Sequence, residues 1–378
     1  MERQRVSGTE EARTLTLDRK FVTVKITVKS FLLQLSTRGE LMLKLGILDQ
    51  SQIAEGRTAS DALKETTRLA QEADRLGFTR YWVSEHHASK SLAHSSPEVL
   101  LAHLAAVTSR IRVGSGGIML PHYSAYKVAE NFRLLEALHP GRIDLGLGRA
   151  PGGMPLATRA LQADKYVSID RYPDQVADIA GYLHETMPPE HPFAALQASP
   201  SIPTAPEVWL LGSSGESARI AAKQGAAFGF AQFFGSPGGE EAMRHYKKHF
   251  QPSVLNDKPR TLAAVLAVCA DTEEEANKLA SSTDLYFLRL ERGLELGFFP
   301  SVDTALNYPY TEYDLARIKE RRERRIVGNP EQVKRRLHAV AEAYSADELL
   351  IVSPIHNFGA RLHSYRLIAG AFGMKGEE

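Results

Sequence analysis

Cysteine is almost absent from this chain, since Cys269 is the single one among 378 residues. One cysteine excludes an internal disulfide and a cysteine-based zinc cluster. Its position inside the apolar run TLAAVLAVCA predicts a buried small side chain. No apolar run approaches the roughly 18 residues that a membrane-spanning helix needs. We therefore expect a cytoplasmic protein with no membrane partner.

An excess of either charge is also missing, because 46 Lys and Arg residues face 45 Asp and Glu residues, a net charge of +1. A nucleic-acid-binding protein normally carries a strong basic excess, so we expect no nucleic-acid partner. Histidine, cysteine and carboxylate residues show no spacing typical of a metal site, and we expect no metal. The hydrophobic fraction of 43% is ordinary for a soluble globular protein.

The first 41 residues differ from the rest, alternating charges with short apolar pieces and lacking the order of a secretory signal. The piece FVTVKITV alternates well enough to form a strand. The alternative, which we favour, is a poorly ordered N-terminal extension over 1–41. A single domain is then expected over 42–378.

Short apolar runs alternate with amphipathic helical stretches from residue 43 onwards. Eight runs are predicted to be strands: LKLGIL, RYWVSE, IRVGSGGIML, RIDLGLG, EVWLLGSS, AAFGFAQFF, TLAAVLAVCA and DELLIVSPI. Strands that alternate with helices imply a parallel sheet. Eight nearly all-apolar strands favour a closed (β/α)8 TIM barrel, class α/β, over an open sheet. Two stretches without this alternation, 150–168 and 281–325, are predicted to be insertions after the fourth and seventh strands.

The residues that follow the strands are candidates for a site, because a TIM barrel carries its site at the C-terminal ends of its strands. In RIDLGLGRAPGG, the dinucleotide pattern G-x-G-x-x-G fails at Pro151. Arg149 could still hold a phosphate with two hydrogen bonds. The alternative is a surface ion pair of little energetic value.

A second glycine-rich turn, GSSGESA, connects the fifth strand to a helix. The N–H groups at a helix N-terminus bind anions, and Ser213, Ser214 and Ser217 could add hydroxyl donors. The alternative is that Ser213 or Ser214 only caps the helix. A nucleophile elbow is excluded because Glu216 occupies the position of its last glycine.

Two further pairs of residues are ambiguous by themselves. Gly116 and Gly117 lie within an apolar strand, where glycine indicates either close approach of a ligand or a bulge. His86 and His87 follow the second strand and should point to opposite faces. The one that faces the lumen is either a general acid or base or a structural histidine.

Together these stretches resemble the bacterial luciferase-like flavin monooxygenases, in their stand-alone, single-subunit branch. The similarity lies in WVSEHH, in residues 110–152, in WLLGSSGESARIAAKQG and in IVGNPEQV. It implies reduced FMN at the barrel mouth, with a catalytic histidine at His86. The cofactor-binding positions that it implies are Gly116, Gly117, Arg149, Ser213, Ser214 and Ser217. The light-emitting members have a reactive cysteine where this chain has Gly148.

The resemblance also implies a reaction. Reduced FMN and O2 would form a flavin hydroperoxide, which inserts one oxygen atom into a small organic substrate. A separate flavin reductase would supply the reduced FMN, and the chain would form a homodimer. Two alternatives remain: a deazaflavin-dependent oxidoreductase that transfers hydride on the same barrel, and a flavin-binding relative without activity.

Overall fold

A computed structural model describes residues 43–149, 155–163, 168–294 and 296–376. The predicted N-terminal extension over 1–41 lies outside these ranges, as do residues 150–154 and 164–167 of the first predicted insertion. No helix among the described residues is long and apolar enough to cross a bilayer.

Eight parallel strands form a closed barrel, which confirms the predicted (β/α)8 fold. They are β1 (Lys44–Asp49), β2 (Arg80–Val83), β3 (Arg112–Ser115), β4 (Ile143–Gly148), β5 (Glu207–Gly212), β6 (Ala227–Ala231), β7 (Thr261–Cys269) and β8 (Glu348–Val352). Each strand pairs with the next, and β8 pairs with β1, which places Leu349 opposite Leu45. Two short strands flank the barrel: Ile118–Met119 pairs with β4, and Ile326–Gly328 pairs with β7.

Helices surround the barrel. Those described are α1 (Ala59–Leu76), α2 (Pro97–Ala106), α3 (Ala125–Leu138), α4 (Pro155–Leu161), α5 (Tyr172–His184), α6 (Gly215–Gln224), α7 (Gly239–His249), α8 (Glu273–Glu291), α9 (Val302–Leu306), α10 (Glu312–Glu323), α11 (Pro330–Ala343) and α12 (Phe358–Ala371). Both ends of α1 are set by local side-chain and backbone chemistry. Thr58 forms a capping box with Asp61, and Gly77 ends the helix at φ 84°.

The structure differs from the expected pattern in three helices. Helix α7 was not predicted, because this helix is strongly polar and buries few side chains, among them Met243 and Tyr246. A short helix, α4, lies in the stretch 150–168, which we expected to be irregular. Helix α8 continues to Glu291 and so extends past residue 281, where the second insertion was predicted to begin.

The barrel interior is closed at the N-terminal ends of its strands by buried charges. Arg80 donates to Asp144 at 2.5 Å and to Glu348 at 2.9 Å. Asp144 also accepts from Trp82 Nε1 at 2.8 Å and from Arg112 Nε at 2.8 Å. These paired groups and Trp82 fill the barrel at the N-terminal ends of its strands. The open space described below lies towards the C-terminal mouth.

Candidate functional site

A cavity of about 510 Å³ lies at the C-terminal mouth of the barrel. The structure brings every candidate site residue from the sequence to its wall, although they come from separate βα connections: His86, Gly116, Gly117, Arg149, Ser213, Ser214 and Ser217. Its floor is apolar and includes Leu48, Trp82 and Leu350. The volume falls within the range of about 300–1,000 Å³ typical of small-molecule sites.

Small residues in the upper strands make room for this cavity. Gly148, Gly229 and Ala264 line it, where larger side chains would fill the mouth of the barrel. A Cβ atom at Gly229 would lie 2.8 Å from Leu211 Cδ2. Gly229 and Ala264 were not predicted to line the site, and Gly148 was noted only as the position of a cysteine in the light-emitting members. The available signal was the small residues at alternate positions of the strands.

One end of the cavity has the character of an anion site. Ser214 caps α6, and its hydroxyl accepts from the Ser217 N–H at 3.5 Å. Arg149 is partly exposed and makes no hydrogen bond or ion pair to another described residue. A guanidinium group and a helix N-terminus thus line the same space, and both attract negative charge. The capping and the anion-binding interpretations of Ser214 are compatible.

The glycine pair is joined by a cis peptide bond and lies beside the two strands that lead to Arg149 and Ser213. A Cβ atom at Gly117 would lie 2.7 Å from the carbonyl oxygen of Gly146 and 2.8 Å from Leu211 Cδ1. A backbone atom cannot move aside as a flexible side chain can. Glycine is therefore required at position 117 by the packing of β3 against β4.

His86 is the histidine that faces the cavity, as expected for one member of the pair. Its Nδ1 atom is buried without a hydrogen-bond partner among the described residues. Burial, reinforced by the neighbouring His94 and His87, lowers the pKa of His86 from 6.5 to about 4. The imidazole is therefore neutral at pH 7 and can donate or accept a hydrogen bond.

Glu85 organises the region behind His86. Its buried carboxylate accepts from His87 Nε2 at 2.7 Å, from Tyr123 Oη at 2.8 Å and from the Met119 N–H at 3.0 Å. Burial, followed by the charge of Glu85, raises the pKa of Tyr123 well above its ordinary value. Tyr123 therefore stays a hydrogen-bond donor at neutral pH. The contact of Tyr123 with Glu85 was not predicted, because Tyr123 does not directly follow a barrel strand.

Comparison with known proteins identifies the family. The family model described as luciferase-like monooxygenase matches residues 43–364. The chain belongs to this family. It is therefore an oxidoreductase of the monooxygenase class, as the resemblance implied.

Several known proteins match this chain over nearly their whole length. The chain is 54% identical to the uncharacterized protein YwcH of Bacillus subtilis, over 88% of this chain and 99% of that protein. It is 39% identical to the N-acetyl-S-alkylcysteine monooxygenase of the same organism, over 87% of this chain and 98% of that protein. The crystal structure of apo-MsnO8 is 38% identical, with a TM-score of 0.80, over 89% of this chain and 100% of that one.

A pair of aromatic residues in this luciferase-like barrel borders the cavity mouth. Phe233 and Phe234 follow β6 in a single 3-10 turn, with ring centroids 4.4 Å apart. Both line the cavity, and the side chain of Phe234 is largely exposed. The predicted strand AAFGFAQFF includes them, but β6 ends at Ala231. The turn therefore carries them onto the rim.

Proposed function

We propose that this protein is a monooxygenase that uses reduced FMN and O2 to oxygenate a small organic substrate. The observation that carries the proposal is the joint location of an anion site, a glycine-lined wall and an apolar floor in one cavity. A phosphate-bearing cofactor with a flat ring system needs this combination. The N-acetyl-S-alkylcysteine monooxygenase and an FMN complex of a 3,6-diketocamphane monooxygenase with the same fold support it.

The residues at the anion end fit a phosphate group. Arg149 would supply two hydrogen bonds, and Ser213, Ser214 and Ser217 would add donors at the start of α6. No ion pair joins Arg149 to a carboxylate of the described residues, and the nearby Glu216 carboxylate, whose pKa is lowered first by its hydrogen bond from Arg219, pairs with Arg219. An arginine without an ion pair beside a helix N-terminus is suited to bind a dianion.

The glycine-lined and apolar part of the cavity fits a flat, apolar ring. Gly116 and Gly117 leave the backbone open to close approach, and Trp82, Leu48 and Leu211 supply apolar contacts. When bound, reduced FMN supplies the two electrons that reduce O2, so that one oxygen atom goes to substrate and the other to water. The apolar walls exclude the water that would otherwise divert these electrons.

His86 is the proposed catalytic residue. Because its imidazole is neutral at pH 7, it would hold the reacting oxygen by a hydrogen bond or accept a proton, without bringing a cation into the cavity. Glu85, the chain neighbour of His86, would hold this segment in place through its bonds to the His87 side chain and to the Met119 N–H.

We also propose a cytoplasmic homodimer that receives reduced FMN from a separate flavin reductase. Large apolar side chains that are more than half exposed on α2 and α3 support the dimer: Val99, Leu134 and Leu138. Purified protein supplied with oxidised FMN should oxidise NAD(P)H only after a reductase is added. Rapid oxidation without a reductase would contradict this part of the proposal.

The main test is a flavin titration of the wild type and Arg149→Ala. The loss of charge-assisted hydrogen bonds should weaken FMN binding at least about tenfold. Arg219→Ala is the matched control, because Arg219 lies on α6 but pairs with Glu216 on the surface. Equal FMN affinity of Arg149→Ala and the control would exclude the phosphate site.

A second experiment tests the reaction class. Chemically reduced FMN, O2 and a substrate panel should give a product that contains one oxygen atom from labelled O2. Hydride transfer to or from a deazaflavin without incorporation of oxygen would support the alternative reaction on this barrel. No turnover by wild type or His86→Asn, with FMN still bound, would favour a non-catalytic relative.

A further inference from the structure

A second pocket of about 290 Å³ shares a wall with the main cavity. Phe233 and Phe234 line both spaces. The other walls of the second pocket come from the end of α8 and from α10, both within the second insertion or at its start. Two aromatic rings therefore stand between the main cavity, with its proposed FMN site, and a space that the insertion builds.

The second pocket is positively charged. Four arginines and two glutamates line it: Arg317, Arg321, Arg324, Arg325, Glu291 and Glu320. This leaves a surplus of two positive charges. Arg317 and Arg321 are four positions apart and so share one face of α10, and Arg324 follows at the end of the helix; all three line the pocket.

The surplus cannot be removed by the ion pairs present. Arg317 and Arg321 both pair with the single carboxylate of Glu291. Arg325 pairs with Asp284 at 2.7 Å, and the same carboxylate also pairs with Arg322. Each of these carboxylates thus serves two guanidinium groups, and an additional anion would find unsatisfied positive charge.

Arg321 shows this most directly. Its Nη1 atom is buried and has no hydrogen-bond partner among the described residues. Burial of a charged donor without a partner is unfavourable. Burial also lowers the pKa of Arg325 to about 10, and the positive charges of Arg321 and Arg322 add to this effect. Both observations show incompletely compensated positive charge beside the pocket, which an anionic group bound there would reduce.

We propose that this second pocket binds the carboxylate of the organic substrate. The substrate class is then an organic acid whose carboxylate lies among the arginines, whose apolar part crosses Phe233 and Phe234, and whose oxidised group reaches the main cavity. The inference rests on the proposed function, because it names the substrate class of that same site. The interpretation as a purely structural contact between α8 and α10 is the alternative to test.

The test compares phenylalkanoic acids of increasing chain length with their methyl esters, by calorimetric titration of the protein without FMN. At least one acid should bind about tenfold more tightly than its ester. Arg321→Gln should remove this preference and leave the affinity for the ester unchanged. Arg75→Gln is the matched control, since Arg75 pairs with Glu72 on an exposed surface. It should behave as the wild type.

In this titration, either of two results would overturn the inference. One is that no acid binds more tightly than its ester, and the other is that Arg321→Gln weakens binding of acid and ester equally. A salt series of the wild type needs no variant. Added salt should weaken binding of the acid alone, and salt-independent binding of the acid would also overturn the inference. FMN titration of the same preparations separates the proposals. Normal FMN binding without acid preference defeats only this inference, whereas acid preference without FMN binding defeats only the proposed function.

Discussion

Replacement of His86 by asparagine should change how the stability of the protein depends on pH. Burial lowers the pKa of His86 from 6.5 to about 4. Between these values the unfolded chain binds a proton at His86 and the folded chain does not. Stability of the wild type therefore falls as the pH falls through this window, and no further loss from this group follows below pH 4.

The size of the effect follows from the two pKa values of His86. A shift of one pKa unit corresponds to about 1.4 kcal/mol, so the full effect at pH 4 is about 3 kcal/mol. Between pH 7 and pH 5, the wild type should lose about 2 kcal/mol through His86. His86→Asn should not show this loss, because asparagine does not titrate.

The assay is urea unfolding of both proteins without FMN at pH 7, 6 and 5, followed by tryptophan fluorescence. Trp82 and Trp209, the two tryptophans of the chain, lie buried inside the barrel and report on its integrity. The free energy of unfolding of the wild type, relative to the variant, should fall by about 2 kcal/mol from pH 7 to pH 5. A difference that is the same at all three pH values would refute the burial of a neutral His86.

Two further predictions concern the barrel itself. Asp144→Ala should destabilise the protein by about 3–5 kcal/mol, because it leaves the buried Arg80 with one partner fewer inside the barrel. Lys127→Ala is the control: Lys127 is exposed, and its replacement should cost no more than about 1 kcal/mol in the same denaturation assay. Gly117→Ala should lower the melting temperature and weaken FMN binding, since its Cβ atom meets the Gly146 backbone. Gly370→Ala, where a Cβ atom meets nothing, should not lower stability. Equal effects of the two alanines would show that the close approach at Gly117 is unimportant.

Much of the fold could be predicted from local patterns. The eight apolar runs correspond to the eight barrel strands, and Thr58, Gly77 and Asn329 end or begin helices as their chemistry requires. Boundaries were less certain where no cap residue marks them. The predicted third strand, for example, is interrupted at Gly116 and Gly117 and continues only as Ile118–Met119.

The candidate site was predictable in part, because a barrel places the ends of all its strands at one mouth. This rule places Arg149 near Ser214, although 65 positions separate them. The rule did not identify residues that lie further along the βα connections, away from the strand ends. Tyr123 and Phe234 take their positions from how a helix start and a 3-10 turn pack over the barrel, which no periodicity reveals.

The sequence by itself determined the period of the elements, the low cysteine content and the glycines that only a crowded or open backbone needs. Only the tertiary structure decided which charged and titratable groups are buried and which are paired. It showed that Arg80 and Asp144 pair inside the barrel, that His86 is buried and neutral, and that Arg321 has an unsatisfied donor. The physical reason is that desolvation and pairing depend on neighbours distant in sequence, whereas strand and helix periods depend on residues close in sequence.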